Sequence, residues 1–408
     1  MFSTPTTDEI KAYFPYFQIR RLDVFCAIVF CIIQKQTVNI NKLKNAFGRA
    51  YNIKDVNVES VYRRLTRFFN MSTPKTFCIC ISYLIINLLI ASGQTSIYWA
   101  IDRTNWQIGD KNKVNCNLLT LGLVLNNGCF IPIIGVHLDK KGNSNMLERI
   151  DLINDLVKLF LPHIPKPIND VKHIILGDRE FVGKQWLLHL VNNGFSFVMR
   201  LRKDDYLQAL AKQKNTTIYK LKRKIKSKVV KNGFFYAQAV FNDKTTYFLA
   251  LPNSSNQAQK KDKIVYFLSD LSDIKQISDA YYKRWQIEVY FKHCKTNGFN
   301  LEDLNLKKEG KILLMTAIVG FTYVLAIFQG MYKLKNRPIK KQYYTKNNKN
   351  YNRIAIFTLG CEQLEVNIFD IVDLIQLIQS FLPEKPVFNS MLVFEKFKQE
   401  YFKSQTVQ

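Results

Sequence analysis

The 408-residue sequence predicts an α+β or α/β protein, a sheet with helices on its faces, preceded by a helical module and carrying a β-meander within residues 203–262. Three observations carry this. From Ile97 onward, strand-like and helix-like segments alternate. The first three strand-like segments follow one another, two of them joined by the hairpin signal Asn126-Asn127-Gly128. And 47% of the residues are hydrophobic, 13% of the chain being Phe, Trp or Tyr, enough for a sizeable core and too much for a disordered chain.

Taken in order, residues 1–95 read as the helical module. Leu22–Ile33 is apolar throughout. Asn41 can cap a short helix carrying Leu43 and Phe47, and Asn57 can cap another that begins at Val58. On that second helix Val61, Leu65 and Phe68 recur at helical spacing, while Arg63, Arg64 and Arg67 fall on the opposite side. An apolar seam backed by three arginines suits a helix that packs on its module and faces phosphates. A solvated basic face accounts for the same pattern equally well.

Residues 96–202 carry the first part of the sheet. Tyr98–Asp102, Leu118–Leu125 and Phe130–Val136 read as strands, Asn145–Leu161 as a helix, and His173–Leu176 as a short buried strand broken by Gly177-Asp178. Gly183–Asn193 reads as a helix that Gly194 ends, and Phe195–Leu201 as a returning strand. In residues 203–262, Lys220, Lys222, Lys224, Lys226 and Lys228 share one parity. Read as a strand, one whole face is lysine, suited to tracking phosphates; a sheet edge guarded from aggregation is the alternative but would need fewer lysines. Asn232-Gly233 then reads as a hairpin turn, followed by strands over Phe234–Phe241 and Thr245–Leu251 and a polar connector over Pro252–Asp262. Residues 263–332 hold two helices, Ile274–Thr296 and Ile312–Tyr332. Residues 333–408 begin with a Lys/Asn-rich loop to Arg353 and include an amphipathic helix over Ile368–Phe381 before a polar tail.

The chain carries 59 Lys and Arg against 32 Asp and Glu, a formal charge of +27, which favours a polyanionic partner, either nucleic acid or an anionic membrane surface. Phe77–Ser92 and Ile312–Tyr332 are uncharged and strongly apolar, but the first is short for a span and the two are isolated among charged segments. Buried core segments are the expectation, with no membrane as partner. The eight cysteines form no Cys-x-x-Cys pair and the five histidines are scattered, so the pattern suggests free thiols in a reducing cytoplasm and no zinc site. The N-terminal residues show no basic stretch leading into an apolar one, and no signal peptide is expected.

Three carboxylates stand out by position. Asp102 ends the apolar strand YWAI, Asp178 lies just past HIIL, and Glu288 sits inside the helix over 274–296. Strand-end carboxylates converge if their strands are neighbours, and a helix crossing that edge can add a third. Three carboxylates with no His or Cys make a hard oxygen site suited to Mg²⁺ or Mn²⁺. Two such ions could clamp the attacking and leaving oxygens of a phosphoryl displacement. On the helix, Tyr281, Arg284, Glu288 and Lys295 are spaced 3, 4 and 7 apart, which places them within roughly 60° of one another. Tyr282, Trp285 and Val289 form a neighbouring apolar stripe that could seat the helix. An ordinary amphipathic helix with a mixed polar face has the same spacing.

The run Tyr281-x-x-Arg284-x-x-x-Glu288-x-x-x-x-x-x-Lys295 resembles the Tyr–Arg–Glu–Lys signature of bacterial insertion-sequence DDE transposases of the insertion-sequence-four family. IDRTNW (Ile101–Trp106) resembles that family's first-aspartate segment, GDREF (Gly177–Phe181) its second, and YRRLTRFF (Tyr62–Phe69) a segment near its N-terminus. The resemblance implies an α/β fold, a ribonuclease-H-like catalytic core of a mixed sheet with helices on both faces, with a β-rich insertion between the second aspartate and the glutamate and a helical module before it. It implies Asp102, Asp178 and Glu288 as catalytic residues and metal ligands, with two Mg²⁺ or Mn²⁺ ions per active site. It implies Tyr281, Arg284 and Lys295 as a grip on phosphates of the element's end. Its activity would be cut-and-paste transposition in a bacterial cytoplasm. The partners would be double-stranded DNA, as terminal inverted repeats and target, and a second copy in a synaptic homodimer. Some relatives hold a flipped base on a tryptophan of the insertion. Here Trp99, Trp106, Trp186 and Trp285 all lie outside it, leaving Phe234, Phe235 or Tyr236 for stacking. A nuclease without strand transfer, and a non-catalytic DNA-binding remnant of a mobile element, fit the same residues.

Overall fold

The computed structural model describes residues 8–108, 114–164, 172–202, 205–241, 244–253, 263–336, 343–346, 349–352 and 355–383. The chain opens with α1 (Asp8–Lys11), α2 (Ile19–Lys35), α3 (Ile40–Leu43), α4 (Phe47–Ala50), α5 (Val58–Phe69) and α6 (Pro74–Ala91). Asn57 caps α5, its side chain accepting from the N–H groups of Glu59 and Ser60. The cap of α3 is Asn39, not Asn41: its side chain accepts the Asn41 N–H, and Phe47 opens a separate helix. The residue that can accept that N–H must stand outside the helix, which Asn41 does not. The apolar stretch of α2 is buried from Leu22 to Ile33, and Phe14, Phe25 and Phe77 lock α2 to α6 with ring centroids 4.9–5.6 Å apart.

The central sheet contains β1 (Tyr98–Ile108), β2 (Val114–Val124), β3 (Phe130–His137), β4 (Ile174–Gly177), β5 (Ser196–Arg200), β6 (Phe235–Phe241), β7 (Lys244–Pro252) and β8 (Ile264–Ser269), in the order β3-β2-β1-β4-β5-β8-β7-β6. The first three strands are antiparallel, β4 and β5 join parallel to β1, and β8 returns antiparallel to β5. Gly128 takes φ +81° in the β2–β3 turn, where the Asn127 side chain accepts the Cys129 N–H. Between β3 and β4 runs α7 (Met146–Asp155), boxed at its start by Asn145 and Glu148, and between β4 and β5 runs α8 (Lys184–Asn192). Side-chain alternation gives the sheet two apolar faces. Ile174, Leu176 and Val198 pack under α11 (Ile274–Lys283), while Ile175, Phe197 and Met199 belong to the main core with Trp186 of α8. This mixed sheet with helices on both faces fits a ribonuclease-H-like core.

Residues 203–262 differ from the expected β-meander. They begin with α9 (Asp205–Gln213) and α10 (Ile218–Asn232), so the lysine segment is a helix. Leu221, Ile225 and Val229 are its buried stripe, Thr217 caps it by accepting the Lys220 N–H, and Gly233 at φ +79° ends it. A four-residue apolar repeat outweighs the two-residue lysine repeat because only the apolar one buries surface. Lys220, Lys224 and Lys228 lie along one flank and Lys222 and Lys226 along the other, since two-residue steps turn by about 200° on a helix. No all-lysine face forms. The strands expected beyond it are β6 and β7, which extend the central sheet through β8. The connector at 254–262 lies outside the described residues.

The helix expected over 274–296 is two helices, α11 and α12 (Trp285–Lys295), meeting at Arg284. Next comes α13 (Glu309–Asn336), 83% buried over its most apolar window, as a core segment would be. It packs against α6, β3 and α14 (Ile356–Asn367), the last element before α15 (Ile371–Phe381). By length and composition α6 and α13 could each cross a membrane, but α13 runs through the core, with Phe321 5.5 Å from Phe25. The Lys/Asn-rich segment contains a hairpin, β9 (Tyr343–Lys346) with β10 (Lys349–Asn352), instead of an uninterrupted loop. The polar tail from 384 lies outside the described residues.

Candidate active site

The parallel pairing of β1 with β4 ends at Ile101–Gly177, and Asp102 and Asp178 are the next residues of each chain segment. Neighbouring strands lie ~4.8 Å apart, so the two aspartates leave the sheet side by side. Asp102 itself is mid-strand, paired with Thr120 on its other side, and not at a strand end as the sequence suggested. By parity Asp102 follows Tyr98 and Ala100, and Asp178 follows Ile174 and Leu176, so both rise on the sheet face that α11 covers.

Arg284, at the junction of α11 and α12, meets Asp102 there. One guanidinium nitrogen donates to Asp102 Oδ2 at 3.0 Å and the other to Glu288 Oε1. Arg284 is only 5% exposed. Burial works against its charge, yet Tyr281, Asp102, Asp178 and Glu288 together hold it more basic than an ordinary arginine. Burial raises the Asp102 carboxyl to about 6, with Glu288 and Asp178 adding to the rise while Arg284 and the Arg103 N–H oppose it. Asp102 and Glu288 therefore share one guanidinium, while Asp178 acts on it through its charge. Among the described residues, no three His, Cys, Asp or Glu side chains stand as a ready metal-holding group. The donor chemistry nonetheless fits a hard divalent cation: the set is all carboxylate, and Asp178 Oδ1 is buried without a hydrogen bond, with Arg179 Nε 3.9 Å away.

The other residues of the helix signature are placed close by. Tyr281 packs on Phe267 at 4.6 Å and against Arg284; its hydroxyl is buried without a hydrogen bond of good geometry, and burial raises its pKa. Lys295 donates to the Asn105 carbonyl at 3.1 Å, pairs with Glu302 at 3.4 Å and lies over Trp106. The stripe expected to seat the helix does not: Tyr282 and Trp285 are 59% and 58% exposed. The seating face is Ile277, Ala280, Ile287, Tyr290 and Cys294, because the sheet lies on that side. Of the three aromatics considered for base stacking, Phe235 is buried and Tyr236 is stacked on Tyr247 and bonded to the Ser272 carbonyl, while Phe234 is exposed.

A second group of side chains, not singled out in the sequence, ties the aspartate segments together. Glu180 accepts from the Ser144 N–H and hydroxyl, each at 2.7 Å, and from Arg103 Nε at 3.3 Å. Arg103 also donates to Asn117 and Asn143, and Arg149 braces Ser144 while lying over Phe181. Arg103 directly follows Asp102 and Glu180 stands two residues beyond Asp178, so one ion pair clamps both segments. Their place within IDRTNW and GDREF was the available signal.

The basic residues of the outer elements lie elsewhere. Arg63 pairs with Glu59 at 3.7 Å, whereas Arg64 and Arg67 line a groove. On α10, Lys220, Lys224, Lys226 and Lys228 are exposed and Lys222 is half-buried.

A family model described as a transposase DDE domain matches residues 98–325, more than half of the chain, from the first residue of β1 into α13. No curated protein matches the sequence.

Proposed function

The chain belongs to the transposase DDE domain family, and from that premise we propose that it moves an insertion sequence by cut-and-paste transposition, cleaving DNA at the element's ends and joining them to target DNA. The observation that carries this is the register that sets Asp102 beside Asp178 on the face where Arg284 reaches both Asp102 and Glu288.

In this reading Asp102, Asp178 and Glu288 hold the Mg²⁺ or Mn²⁺ ions, two per site. When bound, these would activate the attacking oxygen and offset charge on the leaving oxygen. The chain's own residues supply the rest. Arg284, itself buried, bridges the carboxylates of β1 and α12 and so holds Asp102 and Glu288 near one another before DNA arrives. Arg284 Nε is buried without a hydrogen bond and the Tyr281 hydroxyl beside Arg284 has none of good geometry, and both suit a phosphate oxygen. Lys295, held over Trp106, adds positive charge at the same edge. The lysines of α10 and Arg63, Arg64 and Arg67 contact the backbone of double-stranded DNA, at terminal repeats and target, with a homodimer pairing two ends in the bacterial cytoplasm.

The test is strand cleavage and strand transfer with duplexes carrying the element's end. Asp102→Ala, Asp178→Ala and Glu288→Ala should each abolish cleavage while duplex binding persists. Undiminished cleavage by any one contradicts the assignment. Wild-type cleavage without joining of precut ends to target would leave a nuclease.

A further inference from the structure

A single 3₁₀ turn, Leu301–Asp303, links the catalytic edge to the N-terminal module. Asn300 enters it at φ +50°, a left-handed conformation that asparagine tolerates better than most residues with a side chain. Leu301 and Leu304 are buried, and the intervening Glu302 and Asp303 reach partners in two different places. Glu302 pairs with Lys295 at 3.4 Å. The same ammonium donates to the Asn105 carbonyl of β1 and lies over the Trp106 ring. Asp303 meets the start of α3 instead. One of its oxygens accepts from the Thr37 hydroxyl at 2.8 Å and from Lys42 at 2.7 Å, the other from the Asn39 side chain at 3.2 Å. Thr37 is itself buried, and Asn39 is the residue that caps α3. Asn305, two residues on, accepts the Ile40 N–H at 3.2 Å. Burial works against the Asp303 charge, but the bonds from Lys42, Thr37 and Asn39 hold its carboxyl below the ordinary value.

We propose that Glu302 and Asp303 form a strut, in which Glu302 positions Lys295 beside the carboxylate site and Asp303 ties that position to the seating of α3. Lys295 lies seven residues past Glu288 on α12, close to two full turns, so the two stand on the same flank of the helix. Lysine carries a point charge on a flexible four-carbon stem, and its aim depends on what holds it. Position, and not stability, is what the two ion pairs supply. Glu302 is 43% and Lys42 60% exposed, and pairs this open to water add little to folding. The two carboxylates are neighbours in one turn with a buried leucine on either side, so a shift of α3 pulls on Glu302 through a single peptide unit. For its effect on chemistry the inference rests on the DNA-cleaving reading above; the strut itself rests only on these contacts.

Two measurements on the full chain test it, with Glu302→Gln and Asp303→Asn, which keep the shape of each side chain and remove its charge. The first needs no DNA: brief acetylation with acetic anhydride, read at each lysine by mass spectrometry. Each variant should raise the labelling rate of Lys295 about two- to fivefold, the range for a pair of this exposure. The exposed Lys224 of α10 should label as in wild type, which reports that the fold is kept. The second is the cleavage rate at saturating duplex carrying the element's end. Each variant should slow it about five- to tenfold, the low end for a coupling between two sites, and should slow it no further in a Lys295→Ala background. A purely architectural role would slow both backgrounds alike. Unchanged labelling of Lys295 in either variant, or equal slowing with and without the lysine, overturns the proposal. If wild type cleaves no duplex while the labelling changes appear, the transposase reading falls and the strut stands; if wild type cleaves and the labelling is unchanged, the strut alone is wrong.

Discussion

Glu180→Ala should destabilise the protein by about 3 kcal/mol. The side chains of Arg103 and Glu180 are only 13% and 14% exposed, so removing the carboxylate leaves a cation where little water reaches it. Breaking one partner of a buried ion pair costs roughly 3–5 kcal/mol. The lower end applies because Arg103 keeps Asn117 and Asn143 as acceptors, although the Ser144 N–H and hydroxyl lose theirs. Urea denaturation of wild type, Arg103→Met, Glu180→Ala and the double variant would read both the cost and the coupling. The two single losses should sum to about 1.5–3 kcal/mol more than the double loss, as for residues sharing one network. Glu180→Gln, which keeps an acceptor, should cost less than Glu180→Ala. Since the pair clamps the segments bearing Asp102 and Asp178, cleavage by Glu180→Ala should also fall at temperatures where the variant remains folded. A loss below about 1 kcal/mol, or strictly additive losses, would refute the clamp.

Three further outcomes follow from the structure. Gly360→Ala should prevent folding or cost several kcal/mol by urea denaturation, because a Cβ there would collide with the Ala326 carbonyl where α14 crosses α13. Burial lowers the His293 pKa from 6.5 to about 4, with Lys292 acting in the same direction. The unfolded chain then takes the proton first, so stability is full above pH 6.5 and is lost as pH falls toward 4; the loss is about 1–3 kcal/mol, and His293→Phe should flatten thermal midpoints over that range. Replacing Lys220, Lys224 and Lys228 together with glutamine should lower the salt slope of duplex binding by 2–3 and leave the thermal midpoint nearly unchanged, since all three are exposed.

Much of the core was legible because its signals are local. The hairpin at Asn126-Asn127-Gly128, the cap at Asn57 and the strand before Gly177-Asp178 each depend on residues a few positions apart. The lysine segment misled because two periods coexist in it. Leu221, Ile225 and Val229 mark a helix, but they matter only once β6 and β7 give that stripe something to cover. Trp285 and Tyr282 misled in the opposite way. They are apolar enough to seat a helix, yet the sheet lies against Ile287 and Tyr290 instead, and spacing alone does not say which of two adjacent stripes meets a partner.

The chain's own order of residues determined its net charge of +27, its α/β class and the choice of Asp102, Asp178 and Glu288 as the candidate acids, since composition, periodicity and motif spacing are properties of a linear string. Tertiary structure alone decided that Arg284 stands among those acids, that Glu180 locks to Arg103 across 77 positions and that Arg20 and Arg21 join Arg64 and Arg67. Each of these brings together segments distant in sequence. Such contacts are set by strand register and by which helix face is buried, and both emerge only when the whole sheet has closed on its core.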